Sequence, residues 1–331
     1  MNDRNLLGSW VRRFLQEHLV GERNLARNTQ ASYRDTLTLL LPFVSKHTGI
    51  AIDRMAVEDI STEIVRQFLD HLERDRHCTG VTRNQRLGTI HSLAYFIGMR
   101  SPVHLSWCTE VRLVPFKKTD KTLITYLEKA EMDTLLRQPD RQTMLGLRDY
   151  CLLLFLYNSG ARADEAARLT IDHLQLADPP SARIHGKGNK IRMCPLWPIT
   201  VPLLDKLIIG RNADQVVFLG RANKPMTRFG HRLVTRYAEM ASEELPSMRA
   251  KRISPHNIRH TTAVHMLRAG VDINTIRAWL GHVSLDTTNI YAEVDLEMKA
   301  KALASVDVSG QETEPLLQRG LPSLMTFLRG V

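Results

Sequence analysis

Cysteine is scarce in this chain. The four cysteines, Cys78, Cys108, Cys151 and Cys194, are scattered through 331 residues with no close pair. That spacing excludes a disulfide frame and a zinc-binding cysteine cluster, and fits reduced thiols in a cytoplasmic protein. Long apolar runs are absent too: no stretch approaches the roughly 18 uninterrupted apolar residues of a membrane span. The opening Met1-Asn2-Asp3-Arg4-Asn5 lacks the apolar core of a signal peptide. The expected compartment is the cytoplasm, or the nucleoid within it, with no membrane partner.

Charge is in excess on one side. Lys and Arg number 45 against 35 Asp and Glu, a formal net charge of +10, in a chain of otherwise ordinary composition with 43% hydrophobic residues. Such a balance favours a polyanionic partner, nucleic acid before an anionic membrane surface, although a basic composition alone also fits a protein with neither. The length is comfortable for two domains.

Residues 1–110 read as helices. Leu6, Leu7, Trp10, Val11 and Phe14 recur at helical spacing, and Tyr33, Leu37, Leu40, Leu41 and Val44 do so after a plausible Asn28 cap. Pro42 should kink that second helix or end it early. Ile64, Val65, Phe68 and Leu72 form a third stripe opened by Ser61 or Thr62, and Leu87, Ile90, Leu93, Ala94 and Ile97 a fourth. Four such helices can close a small bundle. The fourth carries Arg83 and Arg86 on another face, either a solvated surface or a contact for phosphates. Residues 111–122, with Pro115, Lys117, Lys118 and Lys121, lose all periodicity and read as a basic interdomain linker.

A second domain, 123–300, opens with a short helix at Leu127–Met132. Tyr150–Tyr157 is apolar nearly all round and predicts a buried central helix, stopped by Asn158-Ser159-Gly160. Arg162 follows at once, with Glu165 three residues on, a spacing that suits either a simple ion pair or an arginine oriented for a ligand. Ala182–His185 and Ile191–Leu196 read as two short strands, and Gly186-Lys187-Gly188-Asn189-Lys190 as the turn between them. The turn lacks the spacing and terminal Lys-Ser/Thr of a nucleotide-binding loop.

Ser254 and Pro255 predict a helix start, with a capping hydroxyl and proline in the first turn, and a helix running to about Gly270. His256, Arg259 and His260 then share a face beside the positive end of the helix, a setting for an anion. The two histidines also have the spacing of a zinc-binding helix. However, Asn257 stands where that motif places a glutamate, and Arg259 would set a permanent cation beside the metal. A further helix from about Ile273 to Leu280 is capped by Asp272 and stopped by Gly281, with His282 next and Tyr291 nine residues later. A phenol is a poor nucleophile near neutral pH, but serves against an anionic phosphodiester held by several cations.

Taken in order, Gly160-Ala161-Arg162-Ala163-Asp164-Glu165, Gly186–Lys190, Ser254–His260, Leu280-Gly281-His282 and Tyr291 resemble the motif set of the tyrosine recombinases, the lambda-integrase or Xer-like family. The resemblance implies a mainly α fold with a small β-hairpin sheet: a helical, SAM-like core-binding bundle and an α+β catalytic domain clamping double-stranded DNA. It implies attack by Tyr291 on a backbone phosphate, a 3′-phosphotyrosyl intermediate, and strand exchange within a homo-oligomeric, tetrameric synapse. Arg162 and Arg259 would hold the phosphate, Lys187 protonate the departing oxygen, His256 accept the tyrosine proton or hold the phosphate, and His282 add a donor. Glu165 and His260 would support them. No metal or other cofactor is required. Arg83, Arg86, Lys117 and Lys118 are the candidate DNA contacts outside the catalytic set. Residues 301–331 end in Leu321, Leu324, Met325, Phe327 and Leu328, an apolar segment that could dock on its own domain or on a neighbouring protomer, and the resemblance favours the neighbour. Integration, excision or transposition of a mobile element is the expected role, with other recombinases or DNA-bending proteins as conceivable partners. The alternatives are Xer-like chromosome-dimer resolution, a type IB topoisomerase activity, and a catalytically inactive DNA-binding relative.

Overall fold

The computed structural model describes residues 6–119, 124–186, 188, 190–220, 226 and 229–281. The chain divides into two compact units, Met1–Lys121 and Thr122–Val331. Among the described residues no helix is long and apolar enough to cross a membrane, and all four cysteines are free.

The first unit is built from α1 (Leu7–Arg13), a wider π-helical segment (Phe14–Glu22), α2 (Arg27–Thr48), α3 (Thr62–Arg74), α4 (Gly80–Gly98) and α5 (Leu105–Arg112). The apolar stripes meet inside: Phe14, Leu37, Leu40, Val44, Phe68, Leu72, Leu87, Leu93 and Ile97 are all buried. Each such side chain contributes about 1.5–3 kcal/mol relative to exposure. Ser61 caps α3 by accepting the Ile64 N–H. The second helix differs from expectation at both ends. It starts at Arg27 with Ala26 as its cap, so Asn28 lies inside the first turn and makes no cap. It also continues through Pro42 to Thr48, and Gly49, at φ 72°, ends it. Leu40 and Val44, both fully buried, anchor the helix on either side of the proline, so core packing outweighs the lost backbone hydrogen bond.

Residues 111–119, read as linker from their composition, lie against the bundle. Val111 and Val114 are buried, the Asn84 side chain donates to the Lys117 carbonyl and accepts its N–H, and Lys117 Nζ lies 2.8 Å from Glu73 Oε1.

The second unit is organised around α7 (Met144–Ser159), preceded by α6 (Lys129–Arg137) and followed by the short α8 (Ala163–Ala167). The apolar run Tyr150–Tyr157 is indeed buried on every side. Strands β1 (Leu174–Gln175), β2 (Ser181–His185) and β3 (Ile191–Pro195) form a three-stranded antiparallel sheet in that order, with His185 opposite Ile191. β1, with only two residues, carries no periodic signal in the sequence. Beyond the sheet lie α9 (Thr200–Ile208), α10 (Phe229–Glu244), α11 (Pro255–Arg268) and α12 (Ile273–Leu280).

Buried polar groups lock these elements to α7. Asp149, fully buried, accepts from Tyr237 Oη of α10 at 2.9 Å. Asn158 donates to the Pro195 carbonyl at the end of β3 and accepts the Trp197 N–H. Thr262 of α11 donates to the Tyr157 carbonyl at 2.8 Å. Each satisfied pair contributes roughly 0.5–1.5 kcal/mol, and orphaning one would cost more. Trp279 of α12 donates from Nε1 to the Asn158 carbonyl at 3.2 Å, so α11 and α12 are both held against the end of α7, next to Arg162.

Candidate active site

Helix α7 ends on Gly160, whose φ of 58° is the left-handed conformation that glycine adopts freely. Space demands glycine as well, because a Cβ there would stand 2.4 Å from Leu280 Cδ2. The close approach brings the end of α7 against the end of α12, and Arg162 leaves this junction as the cap of α8. Its backbone N–H donates to Glu165 Oε2 at 3.0 Å, and its Nη1 donates to Glu165 Oε1 at 2.7 Å. The arginine side chain remains 39% exposed while Glu165 is 2% exposed. The ion pair of the first reading is therefore present, and the guanidinium it holds still faces solvent.

Glu165 has a second cation. Arg192 of β3 donates from Nη2 to Glu165 Oε2 at 2.7 Å. Burial pushes the Glu165 carboxyl upward, but the hydrogen bond and charge of Arg192, then the backbone and side-chain hydrogen bonds from Arg162, outweigh it and hold the pKa below 4.5. Arg192 did not stand out in the sequence. The signal was there in outline, since it shares a strand face with buried Cys194 and a charged side chain on a core-facing position needs a partner.

At the start of α11 the expected cap is reversed in detail. The Ser254 hydroxyl accepts nothing from the helix backbone. Instead Asn257 Oδ1 receives both the Ser254 N–H (2.9 Å) and the Ser254 hydroxyl (2.6 Å), while Asn257 Nδ2 donates to the Thr125 carbonyl. Asn257 thus ties the helix start to the chain segment before α6, which accounts for an amide at that position.

Arg259 does not lie on the outer face with the histidines. It is 1% exposed and turned inward, with Nη1 donating to the Gly160 carbonyl and Nη2 to the Leu280 carbonyl, each at 2.7 Å. One guanidinium therefore closes the C-terminal ends of α7 and α12 together, satisfying carbonyls that helix ends leave over. His256 is exposed at its outer edge, and His260 is half-buried behind it. Their rings meet edge to face with centroids 4.3 Å apart. Desolvation of the packed side of His256, then the charges of Arg259 and Arg162, hold its pKa below 6.5. A neutral imidazole at working pH is a proton acceptor.

The structure thus collects Arg162, Glu165, Arg192, His256, Arg259 and His260 around the joined ends of α7, α11 and α12. Lys187, His282 and Tyr291 lie outside the described residues, as does the segment 301–331. Gly186, which precedes Lys187, and Gly281, which precedes His282, are described, and both approach Arg192. Among the described residues no group of three His, Cys, Asp or Glu side chains is placed to hold a metal ion.

The remaining candidates belong to the first unit. Arg83 donates to the Pro115 carbonyl at 3.1 Å, which lays 115–117 along the start of α4. Arg86 is half-buried, and Lys117 and Lys118 are exposed.

Residues 125–298 match the phage integrase family, and residues 11–98 match the phage integrase N-terminal SAM-like domain. A Sinorhizobium fredii protein named as a candidate integrase/recombinase, y4rC, is 34% identical over 88% of this chain and 89% of its own length. Tyrosine recombinase XerD of Vibrio cholerae is 30% identical over 83% of this chain and 89% of its own length. The fold is that of the XerH site-specific recombinase solved in a post-cleavage complex with palindromic difH substrate. That structure matches with a TM-score of 0.67 at 20% identity over 90% of this chain and 84% of its own. By these matches the chain belongs to the phage integrase family, the tyrosine recombinases, DNA breaking and rejoining enzymes.

Proposed function

We propose that this chain cleaves and rejoins double-stranded DNA at specific sites through a covalent phosphotyrosyl intermediate at Tyr291. The observation that carries the reading is the junction itself: Arg259 binds the carbonyl two residues before Arg162 and the carbonyl two residues before His282. One buried cation thereby ties three of the sequence motifs to a single place.

In this reading Arg162, exposed and oriented by Glu165, donates to the nonbridging oxygens of the scissile phosphate. Arg259, buried with Nη1 and Nη2 on carbonyls, adds its positive charge from the joined helix ends to offset charge that builds in the transition state. The Tyr291 oxygen attacks phosphorus, forming a P–O bond to tyrosine as the bond to the 5′-oxygen breaks. The phenol proton passes to neutral His256, and Lys187 protonates the departing 5′-oxygen. His282 adds a donor to the phosphate, and His260 supports His256. Because the ester energy is kept in the 3′-phosphotyrosyl bond, attack by another 5′-hydroxyl reverses the step and joins strands.

The first unit contributes Arg83, Arg86, Lys117 and Lys118 as sequence-independent phosphate contacts. A DNA-bound homo-oligomer, a tetramer in the complete synapse, fits the exchange of strands. The greater similarity to the integrase/recombinase y4rC than to XerD supports integration, excision or transposition of a mobile element over chromosome-dimer resolution.

The test uses a nicked duplex taken from the DNA flanking the gene, which traps a covalent intermediate by losing the short released strand. Wild-type protein should form a protein–DNA adduct, and Tyr291→Phe should bind the same duplex and form none. A Tyr291→Phe protein that still cleaves would remove the reading. Relaxation of a supercoiled plasmid without any paired target sites would favour the topoisomerase alternative.

A further inference from the structure

Arg192 lies outside every motif recognised in the sequence, and the role argued for it rests on the proposed phosphate-holding role of Arg162. Glu165 poses an electrostatic problem for that role. A fully buried carboxylate 2.7 Å from Arg162 Nη1 orients the guanidinium, but also cancels its charge as seen from a nearby phosphate. An arginine paired only with a buried glutamate is a neutral pair.

Arg192 changes that balance. Its side chain is 9% exposed, and among the described residues its hydrogen bonding goes to Glu165 Oε2 alone. The carboxylate is thus shared between two guanidinium groups, one on each oxygen, and the trio carries one net positive charge instead of none. Two glycines lie next to Arg192 in that position. A Cβ on Gly281 would stand 3.4 Å from Arg192 Cδ and Nη1, and a Cβ on Gly186 would stand 3.4 Å from Glu165 Oε1 and 3.5 Å from Arg192 Nη1. The guanidinium lies beside the hairpin turn and the end of α12, next to two glycines that leave it room against Glu165. The depressed pKa of Glu165, in which Arg192 is the largest favourable influence, agrees with this sharing.

We propose that Arg192 is a positioning residue for DNA cleavage: it neutralises Glu165, so that Glu165 can orient Arg162 while the charge of Arg162 remains available to the scissile phosphate. Arg192 itself touches neither phosphate nor tyrosine in this scheme. Its effect passes through Glu165 and is therefore conditional on the charge of Glu165.

The experiment measures single-turnover adduct formation on the nicked flanking-DNA duplex at saturating protein. Affinity for the same duplex and the thermal unfolding midpoint are measured in parallel. Arg192→Gln should slow adduct formation by about 10–100-fold, the loss of one well-placed charge in a water-poor site, with affinity changed by less than about threefold. Glu165→Gln/Arg192→Gln, which restores the net charge and leaves an amide oxygen for Arg162, should be at least about fivefold faster than Arg192→Gln alone. Arg192→Lys, which keeps the charge but loses the planar guanidinium that meets Glu165 Oε2, should fall between wild type and Arg192→Gln. A purely structural role would make the double variant as slow as Arg192→Gln or slower, and that result overturns the proposal. Should Arg192→Gln not fold, Arg192→Lys and the double variant decide it. Arg192→Lys slower than wild type together with a double variant that forms adduct supports the proposal, and a folded double variant without adduct, or Arg192→Lys as fast as wild type, refutes it. Absence of adduct with wild-type protein would count instead against the Tyr291 reading.

Discussion

Replacing Arg259 by lysine separates what this residue does for the fold from what it does for the reaction. In the folded protein the guanidinium makes two bonds of 2.7 Å, one to the Gly160 carbonyl and one to the Leu280 carbonyl. A lysine carries a single compact ammonium and cannot serve both carbonyls with the planar fork that arginine offers. One charge-assisted bond is lost, about 1.5–3 kcal/mol. For a unit of this size each kcal/mol moves the melting midpoint by about 2–4 °C, so Arg259→Lys should melt roughly 3–12 °C below wild type. Loosening the joined helix ends and shifting the buried charge should also slow covalent adduct formation by about 100–1000-fold, the scale on which preorganised electrostatic groups act. Leu153→Ala supplies the comparison. It truncates a fully buried side chain of α7 and should cost about 2–5 kcal/mol through lost burial and a cavity. Calorimetry gives the melts, and adduct formation is timed well below both. Arg259→Lys should then be slow and Leu153→Ala close to wild type. The reasoning fails if Arg259→Lys melts with wild type, or if Leu153→Ala slows cleavage as much.

Other expectations follow from the same junction. Gly160→Ala forces both a left-handed alanine and a 2.4 Å clash with Leu280, whereas Gly188→Ala, at φ 75°, meets nothing within 4 Å. The first should therefore destabilise clearly more than the roughly 1–2 kcal/mol of the left-handed backbone alone, and equal melting points would contradict the close packing. His256 should titrate below 6.5 by NMR, and Arg162→Gln should raise that pKa by removing a cation; an unchanged or lower value would mean Arg162 is not near the ring. Glu165 has a pKa lowered on folding, so it adds stability above its ordinary 4.5 that is lost as pH falls through the lower folded value. Glu165→Gln should flatten the acid-side fall of the melting midpoint, and an identical pH profile would refute this linkage.

Much of the fold is legible in the sequence where one face of a helix is apolar. The stripes through Leu37, Phe68 and Leu93, and the all-round apolar run Tyr150–Tyr157, are buried where periodicity places them. End effects are harder to read. Asn28 has good capping chemistry, yet the chain enters α2 at Ala26, and the helix does not end at Pro42 but runs on to Thr48 with Leu40 and Val44 buried on either side. The wide turn at Phe14–Glu22 and the two-residue β1 leave no period to find. In the site, Arg162 and Glu165 declare themselves because three residues on a helix start are neighbours. Arg192, 27 residues from Glu165, becomes visible only once β3 is folded against α8 and α12. Arg259 presents a similar limit: helical spacing places it beside His256 and His260, but only the joined ends of α7 and α12 draw its side chain inward to two backbone carbonyls.

The most direct measurement is to digest the trapped protein–DNA adduct and identify by mass spectrometry which peptide carries the nucleotide remnant. Attachment to Tyr291 through a 3′-phosphate is the expected result. Attachment to any other residue, or through a 5′-phosphate, would contradict the assignment of the nucleophile and of the leaving oxygen.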